Sequence, residues 1–112
     1  MARWWRFGHS KTRTEHAGLL AELTARHFGA GAHEEAIECA RRWLVLDPSD
    51  EAGHRALMKA FALTGRRSEA LHQYERCRDM LKAEIGAAPE EETEALRARI
   101  ARGEVRPADA PP

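Results

Sequence analysis

Long apolar stretches are missing from this sequence. No run of 18 apolar residues occurs, and the basic N-terminus is not followed by the apolar segment of a secretory signal. We therefore expect neither a membrane-spanning helix nor export. Cysteine is scarce as well: the chain has 2, Cys39 and Cys77, and they form no paired motif. This usage indicates a reduced, cytoplasmic protein with two buried thiols.

Motifs for catalysis and metal binding are also absent. The sequence has no glycine-rich phosphate loop and no nucleophile motif, so we expect no enzyme and no cofactor. The 6 histidines and the cysteines do not pair at the close spacings of zinc ligands, so we expect no metal site. His54 in particular is predicted to be a partly exposed surface residue.

The formal net charge is zero, but the charges are unevenly distributed along the chain. Residues 1–14 contain no acidic side chain, whereas all 18 acidic residues follow. The basic residues of this segment are Arg3, Arg6, Lys11 and Arg13. Aromatic residues interleave with them: Trp4, Trp5 and Phe7. We predict a basic aromatic arm over residues 1–12, ahead of a mildly acidic body.

The strongest positive feature is a self-match at a spacing of 34 residues. The segment Gly31–Ile37 returns as Gly65–Leu71, and the same offset aligns Leu23 with Leu57. A fixed period of this length is typical of one supersecondary unit used twice, with neighbouring units sharing a core. A stacked helical repeat offers surfaces rather than built-in chemistry, so the repeat predicts binding.

The composition and the apolar spacing place the helices. Ala, Leu, Glu and Arg are abundant and β-branched residues are few, which favours helix over strand. We predict helices at about 13–28, 33–46, 50–63, 66–85 and 89–102. Ser49 or Asp50 should cap the third helix, and Gly86 should end the fourth. In the first helix, one apolar face is predicted to turn inward, formed by Leu19, Leu20, Leu23, His27 and Phe28.

Short connections force neighbouring helices to run antiparallel. The predicted fold is therefore all-α, a right-handed stack of two antiparallel helix hairpins closed by a fifth helix, over residues 13–102. Residues 103–112 are rich in Pro and Ala without periodicity, and we predict a disordered tail there.

Two resemblances follow from the repeat. The 34-residue spacing and the Leu46-Asp47-Pro48 ending resemble tetratricopeptide repeats. A closer resemblance covers about 31–100, through Gly65–Leu71 and the continuation Leu81–Pro89, and it is to the bacterial transcriptional activator domain. In that family a helical domain follows a DNA-binding winged helix, and nothing of that kind precedes residue 13. The resemblance thus implies an interaction module of regulatory ancestry, and it does not imply that this chain reads DNA by itself.

The arm has three readings. Its aromatic residues could dock on a partner or a membrane surface, with the arginines meeting anionic groups. They could instead stack on nucleic-acid bases while Arg3, Arg6, Lys11 and Arg13 meet phosphates, although four charges are few for stable affinity. The third reading is structural, with the tryptophans covering the open end of the repeat stack.

In the body of the repeat, Arg55 and Lys59 lie at i, i+4 on the third helix, which by the repeat resemblance faces the concave groove. They could hold a partner's carboxylate there, and the alternative is a solvated helix face. The sequence therefore predicts a protein–protein interaction module whose best contact candidates are Arg55, Lys59, Trp4, Trp5 and Phe7. The alternatives are a regulator that touches DNA through the arm or a partner chain, and a structural module that pairs with a second copy.

Overall fold

The structure is a computed structural model that describes the backbone of residues 2–107 and the side chains of residues 13–107. This part of the chain contains five helices and no strand: α1 (Ala2–Gly29), α2 (His33–Leu46), α3 (Glu51–Leu63), α4 (Arg67–Ile85) and α5 (Glu91–Ala101). Each helix from α1 to α4 packs on the next one, and α5 contacts both α3 and α4. The predicted all-α helical stack is confirmed.

The helix ends follow the predicted chemistry. Asp50 is the N-cap of α3, and its Oδ1 accepts from the amide of Ala52 at 3.1 Å. Its other oxygen accepts from the Trp43 indole at 3.0 Å, which ties the start of α3 to α2. Gly86 ends α4 with φ of 62°, a left-handed conformation that a side chain would strain. One carboxylate thus fixes both a helix start and a helix contact.

The first helix begins earlier than predicted. Its 28 residues start at Ala2 instead of about residue 13, so the backbone of the predicted arm continues α1. Residues 2–12 contain no proline, and only Gly8 disfavours a helix there, so nothing in the sequence stops it. The side chains of this segment lie outside the described residues, and the separation of an arm from the body stays a prediction.

The inward face of α1 also differs from the prediction. Leu19 is 57% exposed and Leu23 is 42% exposed, whereas Ala17 and Thr24 are buried. Small residues allow α1 to approach its neighbours closely, and the Thr24 hydroxyl is satisfied by donating to the Leu20 carbonyl at 2.7 Å. The prediction that Leu19 and Leu23 point into the core is therefore wrong.

The core lies between α2, α3 and α4. Its members include Ile37 of α2, Leu57, Met58 and Phe61 of α3, and Tyr74 of α4. Helix α3 is nearest the centre, because most of its residues from position 53 to position 62 are buried. At its first turn Gly53 meets α2 so closely that an added Cβ would lie 2.8 Å from the Leu44 side chain.

The segment after α5 packs on the helices. Gly103 turns the chain with φ of 73°, and Val105 then enters the hydrophobic core. Pro107 lies near Gly65 in the turn between α3 and α4. Residues 103–107 therefore differ from the disordered tail that was predicted, since Val105 supplies an apolar anchor. Residues 108–112 lie outside the described part.

A polar cluster attaches α5 to α3. The hydroxyl of Thr93, which is fully buried, donates to Glu51 Oε2 at 2.6 Å and accepts from Arg55 Nη1 at 2.9 Å. The same Glu51 oxygen accepts from the amide of Glu90, the N-cap residue of α5, at 2.9 Å. Arg55 also lies 3.5 Å from a Glu92 oxygen. The single guanidinium of Arg55 therefore faces three carboxylates, those of Glu51, Glu90 and Glu92.

A second polar network joins α4 to the turn before α3. His54 is 4% exposed, and its Nε2 lies 2.8 Å from the Pro48 carbonyl, which can only accept, so Nε2 carries the proton. Nδ1 then accepts from the Gln73 amide at 2.8 Å. The prediction of a partly exposed surface histidine is wrong, because both nitrogens of the neutral ring have buried partners.

Replacing Thr93 by valine should destabilise the attachment of α5. The substitution keeps the volume but removes the hydroxyl that joins Glu51 to Arg55, so we expect the free energy of unfolding to fall by about 1–3 kcal/mol. Thr93→Ser is the matched control, because it keeps the hydroxyl and loses one methyl group, worth about 1 kcal/mol. Urea unfolding followed by circular dichroism measures both, and a valine variant as stable as the serine variant would contradict the role of the bridge.

The free energy of unfolding should fall in mild acid because of His54. Burial lowers the pKa of its imidazole, and the Pro48 carbonyl and the Asp50 and Glu51 carboxylates offset this only in part. The unfolded chain takes up this proton at about pH 6.5, before the folded chain does. The stability contributed by the neutral His54 ring is therefore complete above about pH 6.5. It is lost as the pH falls from there toward the lower pKa of His54 in the folded chain.

Urea unfolding at pH 7.5, 6.5 and 5.5 measures this loss in the wild type. His54→Gln removes the titrating group, so the variant should show a smaller change in stability over the same range. Equal pH dependence in the two proteins would show that His54 is not the source.

Candidate partner-binding surfaces

The described residues offer little reactive chemistry. Burial raises the pKa of the Cys77 thiol to about 11, so it stays protonated and unreactive at neutral pH. Cys39 is a half-buried free thiol. Between residues 13 and 107, no three His, Cys, Asp or Glu side chains converge as metal ligands would. None of the described helices combines the length and hydropathy that a membrane crossing needs. The surfaces of the stack are therefore the candidates.

The first surface is the groove between α1, α3 and α5, with a volume of about 540 Å³. Arg55 and Lys59 both line it. Arg55, however, is occupied by the Glu51 and Thr93 cluster, and its side chain is only 19% exposed. Lys59 is exposed, with its ammonium 5.7 Å from the centre of the Phe28 ring. Of the predicted pair Arg55 and Lys59, only Lys59 is therefore accessible to a partner in this groove.

The second surface is lined by residues of α1 and α2 alone. Its lining consists of His16, Leu19, Leu20, Arg42, Val45 and Leu46. The exposed Leu23 follows Leu19 by four residues on α1, which places it one helical turn further along the same side of the helix. Val45 is 79% exposed, and Leu19 and Leu23 add two further accessible side chains. Arg42 is the one fully charged residue of this set. We call this surface the α1–α2 outer face.

The third surface is a groove between α2 and α4, with a volume of about 740 Å³. Buried Leu57 and Phe61 form part of its lining. Arg41 of α2 and Arg76 of α4 lie along its two walls, and Arg41 places its guanidinium 5.7 Å from the centre of the Phe61 ring. We call this surface the α2–α4 groove.

The structure brings only some of the predicted contact residues together. Arg55 and Lys59 share one groove, and Arg13 is exposed on α1. The other predicted contacts have side chains outside the described residues: Arg3, Trp4, Trp5, Arg6, Phe7 and Lys11. Their roles stay predictions.

Sequence reasoning missed both the α1–α2 outer face and the α2–α4 groove. The repeat alignment could have indicated the α1–α2 outer face, because Leu23 corresponds to Leu57, which is 3% exposed. Leu57 is covered by the hairpin before it, and no described hairpin lies on the corresponding side of Leu23. For the groove, no signal in the sequence distinguished Arg41 and Arg76 from solvated charges, since the 34-residue offset aligns Arg76 with Arg42 and not with Arg41.

Comparison with known proteins agrees with this architecture. The family model of the bacterial transcriptional activator domain matches residues 3–101. This match includes α1, whereas the motifs quoted above begin at residue 31. No curated protein and no solved structure gives a significant match. The match spans all five helices up to the end of α5, and the chain therefore belongs to the bacterial transcriptional activator domain family, as a domain of the regulatory, transcriptional activator type.

Proposed function

We propose that this chain is a non-enzymatic protein–protein interaction module of a cytoplasmic bacterial transcription-regulatory system. It binds a helical element of a partner protein through the α1–α2 outer face. The observation that carries the proposal is the exposure of Leu19 and Val45 on one apolar surface, with the exposed Leu23 one helical turn from Leu19 on α1. Apolar side chains grouped in this way mark interaction sites on soluble proteins, whereas scattered ones are ordinary.

The internal repeat indicates the shape of the partner. With the 34-residue offset, Leu19, Leu20 and Leu23 correspond to Gly53, His54 and Leu57. All three counterparts are buried, and Gly53 packs directly on Leu44 of the preceding hairpin. The α1–α2 outer face therefore repeats the positions that receive a helical hairpin elsewhere in the stack. A helix or hairpin is the element that fits it.

Burial energetics set the strength expected of this contact. Complete burial of the exposed parts of Leu19, Leu23 and Val45 would contribute about 3–5 kcal/mol. Micromolar affinity corresponds to about 8 kcal/mol, after the cost of association has been met. The apolar face must therefore be supplemented by polar contacts around it, for which Arg42 and His16 are placed. We expect a regulatory contact of moderate affinity.

The double substitution Leu19→Ser and Leu23→Ser should abolish partner binding without unfolding the chain, because both side chains are already accessible. Ile85→Ser is the matched control, since Ile85 is 64% exposed on α4 and does not line the outer face. Wild type and both variants would be immobilised and exposed to lysate of the native host. Proteins captured by wild type and control, and absent from the double variant, would be identified by mass spectrometry.

Titration calorimetry with the purified captured protein then tests direct binding. The proposal expects one protein that binds wild type and Ile85→Ser alike and binds the double variant at least tenfold more weakly. Sedimentation of the chain alone identifies a second copy as the occupant if the same substitutions convert a dimer to a monomer. Capture that the double substitution leaves unchanged, or capture of nucleic acid only, would overturn the proposal.

A further inference from the structure

The α2–α4 groove shares only Val45 with the α1–α2 outer face, and its lining is mostly apolar. Leu57 and Phe61 are nearly covered, Leu44 and Met80 are half-buried, and Val45 stands exposed at the edge. A long apolar depression between two helices is the shape that accepts the apolar side of an amphipathic helix. The lining on α4 runs from Glu69 to Ala83, about 21 Å along a helix axis.

The lining of this groove carries two arginines beside two carboxylates, Glu69 and Asp79, and the arginines are not paired with these carboxylates. Arg41 stands on α2 and Arg76 on α4, and both line the depression. Among residues 13–107, neither forms an ion pair with a carboxylate. The guanidinium of Arg41 instead lies over the Phe61 ring at the groove lining. This contrasts with Arg55, whose partners are all internal.

The order of charges along α4 further restricts which charges a ligand can carry. Glu69 precedes Arg76 by seven residues, which is two helical turns or about 10 Å. Asp79 also lines the groove, and its carboxylate already lies 3.7 Å from Arg78. A complementary ligand therefore carries an acidic residue opposite the two arginines and a basic residue near Glu69. Phosphate groups of a nucleic acid would meet Glu69, Asp79 and an apolar lining, which is a poor match.

We propose that the α2–α4 groove binds an acidic amphipathic peptide helix, with one carboxylate held between Arg41 and Arg76 and its apolar side chains on Leu44, Val45 and Met80. The helix needs about 14 residues, or four turns, to follow the lining of α4. An arginine can hold a carboxylate through two parallel hydrogen bonds, and the apolar surroundings limit competition from water. This inference goes beyond the binding proposed for the α1–α2 outer face and does not depend on it.

A library selection tests the ligand chemistry without a known partner. Peptides of 16 residues would be displayed with a fixed apolar stripe at helical spacing and random residues elsewhere, and selected on the immobilised wild-type chain. We expect enrichment of Asp or Glu at the centre of the stripe and of Lys or Arg two turns away. Selection of no charged pattern, or of a basic centre, would overturn the proposal.

Charge-reversal variants locate the site. Arg41→Glu and Arg76→Glu should each weaken binding of the enriched fluorescein-labelled peptide by about tenfold in an anisotropy titration. A peptide with lysine in place of the central acid should recover binding to either variant. Lys82→Glu is the matched control, because Lys82 is an exposed cation on α4 but lines neither this groove nor the α1–α2 outer face. Thermal melting verifies that all three variants fold.

The Leu19→Ser and Leu23→Ser double variant should bind the same peptide as wild type does, so failure of one surface is distinguishable from failure of the other. Peptide binding that Arg41→Glu and Arg76→Glu leave unchanged would overturn the assignment to this groove. Binding of a single-stranded oligonucleotide that both reversals abolish, together with no selected peptide, would reassign the groove to nucleic acid.

Discussion

The close packing of α3 against every other helix is the constraint on which the rest of the structure depends. Helix α3 contacts α1, α2, α4 and α5, so its buried residues must be either apolar or satisfied by internal partners. Gly53, Ala60 and Ala62 meet the first condition. His54 meets the second, because Pro48 and a glutamine of α4 satisfy both of its ring nitrogens. A central helix under these conditions has little chemistry left for a ligand.

This constraint explains why Arg55 binds other residues of the chain and not a ligand. A guanidinium that is 19% exposed needs hydrogen-bond partners, and the start of α5 supplies them through Thr93 and Glu90. Because Glu51 bridges the same groups, the two helices are joined by charge-assisted bonds where few large apolar side chains meet. The proposed ligand-binding arginines, Arg41 and Arg76, lie instead on α2 and α4, and among the described residues neither is paired with a carboxylate.

The sequence was sufficient to predict the helices and their order, and the reasons are local. Glycine and Asp50 mark helix ends by backbone and capping chemistry, and the 34-residue period shows that one hairpin is used twice. The orientation of α1 was not predictable in this way. Leu19 and Leu23 form a regular apolar stripe, but the helix buries Ala17 and Thr24 instead, because which stripe faces inward depends on the neighbours present. The partners of Arg55 were likewise hidden, since Thr93 is 38 residues away.

The two proposed surfaces meet at one residue. Val45 lines both the α1–α2 outer face and the α2–α4 groove, and it is 79% exposed between them. Its side chain lies on α2, which is the one helix common to both surfaces. A partner packed on Leu19 and Val45 would therefore lie at the edge of the groove and add apolar surface there. Because the core holds α2 rigidly through Ile37 and Ala40, such a contact would reshape the groove by adding a wall and not by moving the helix.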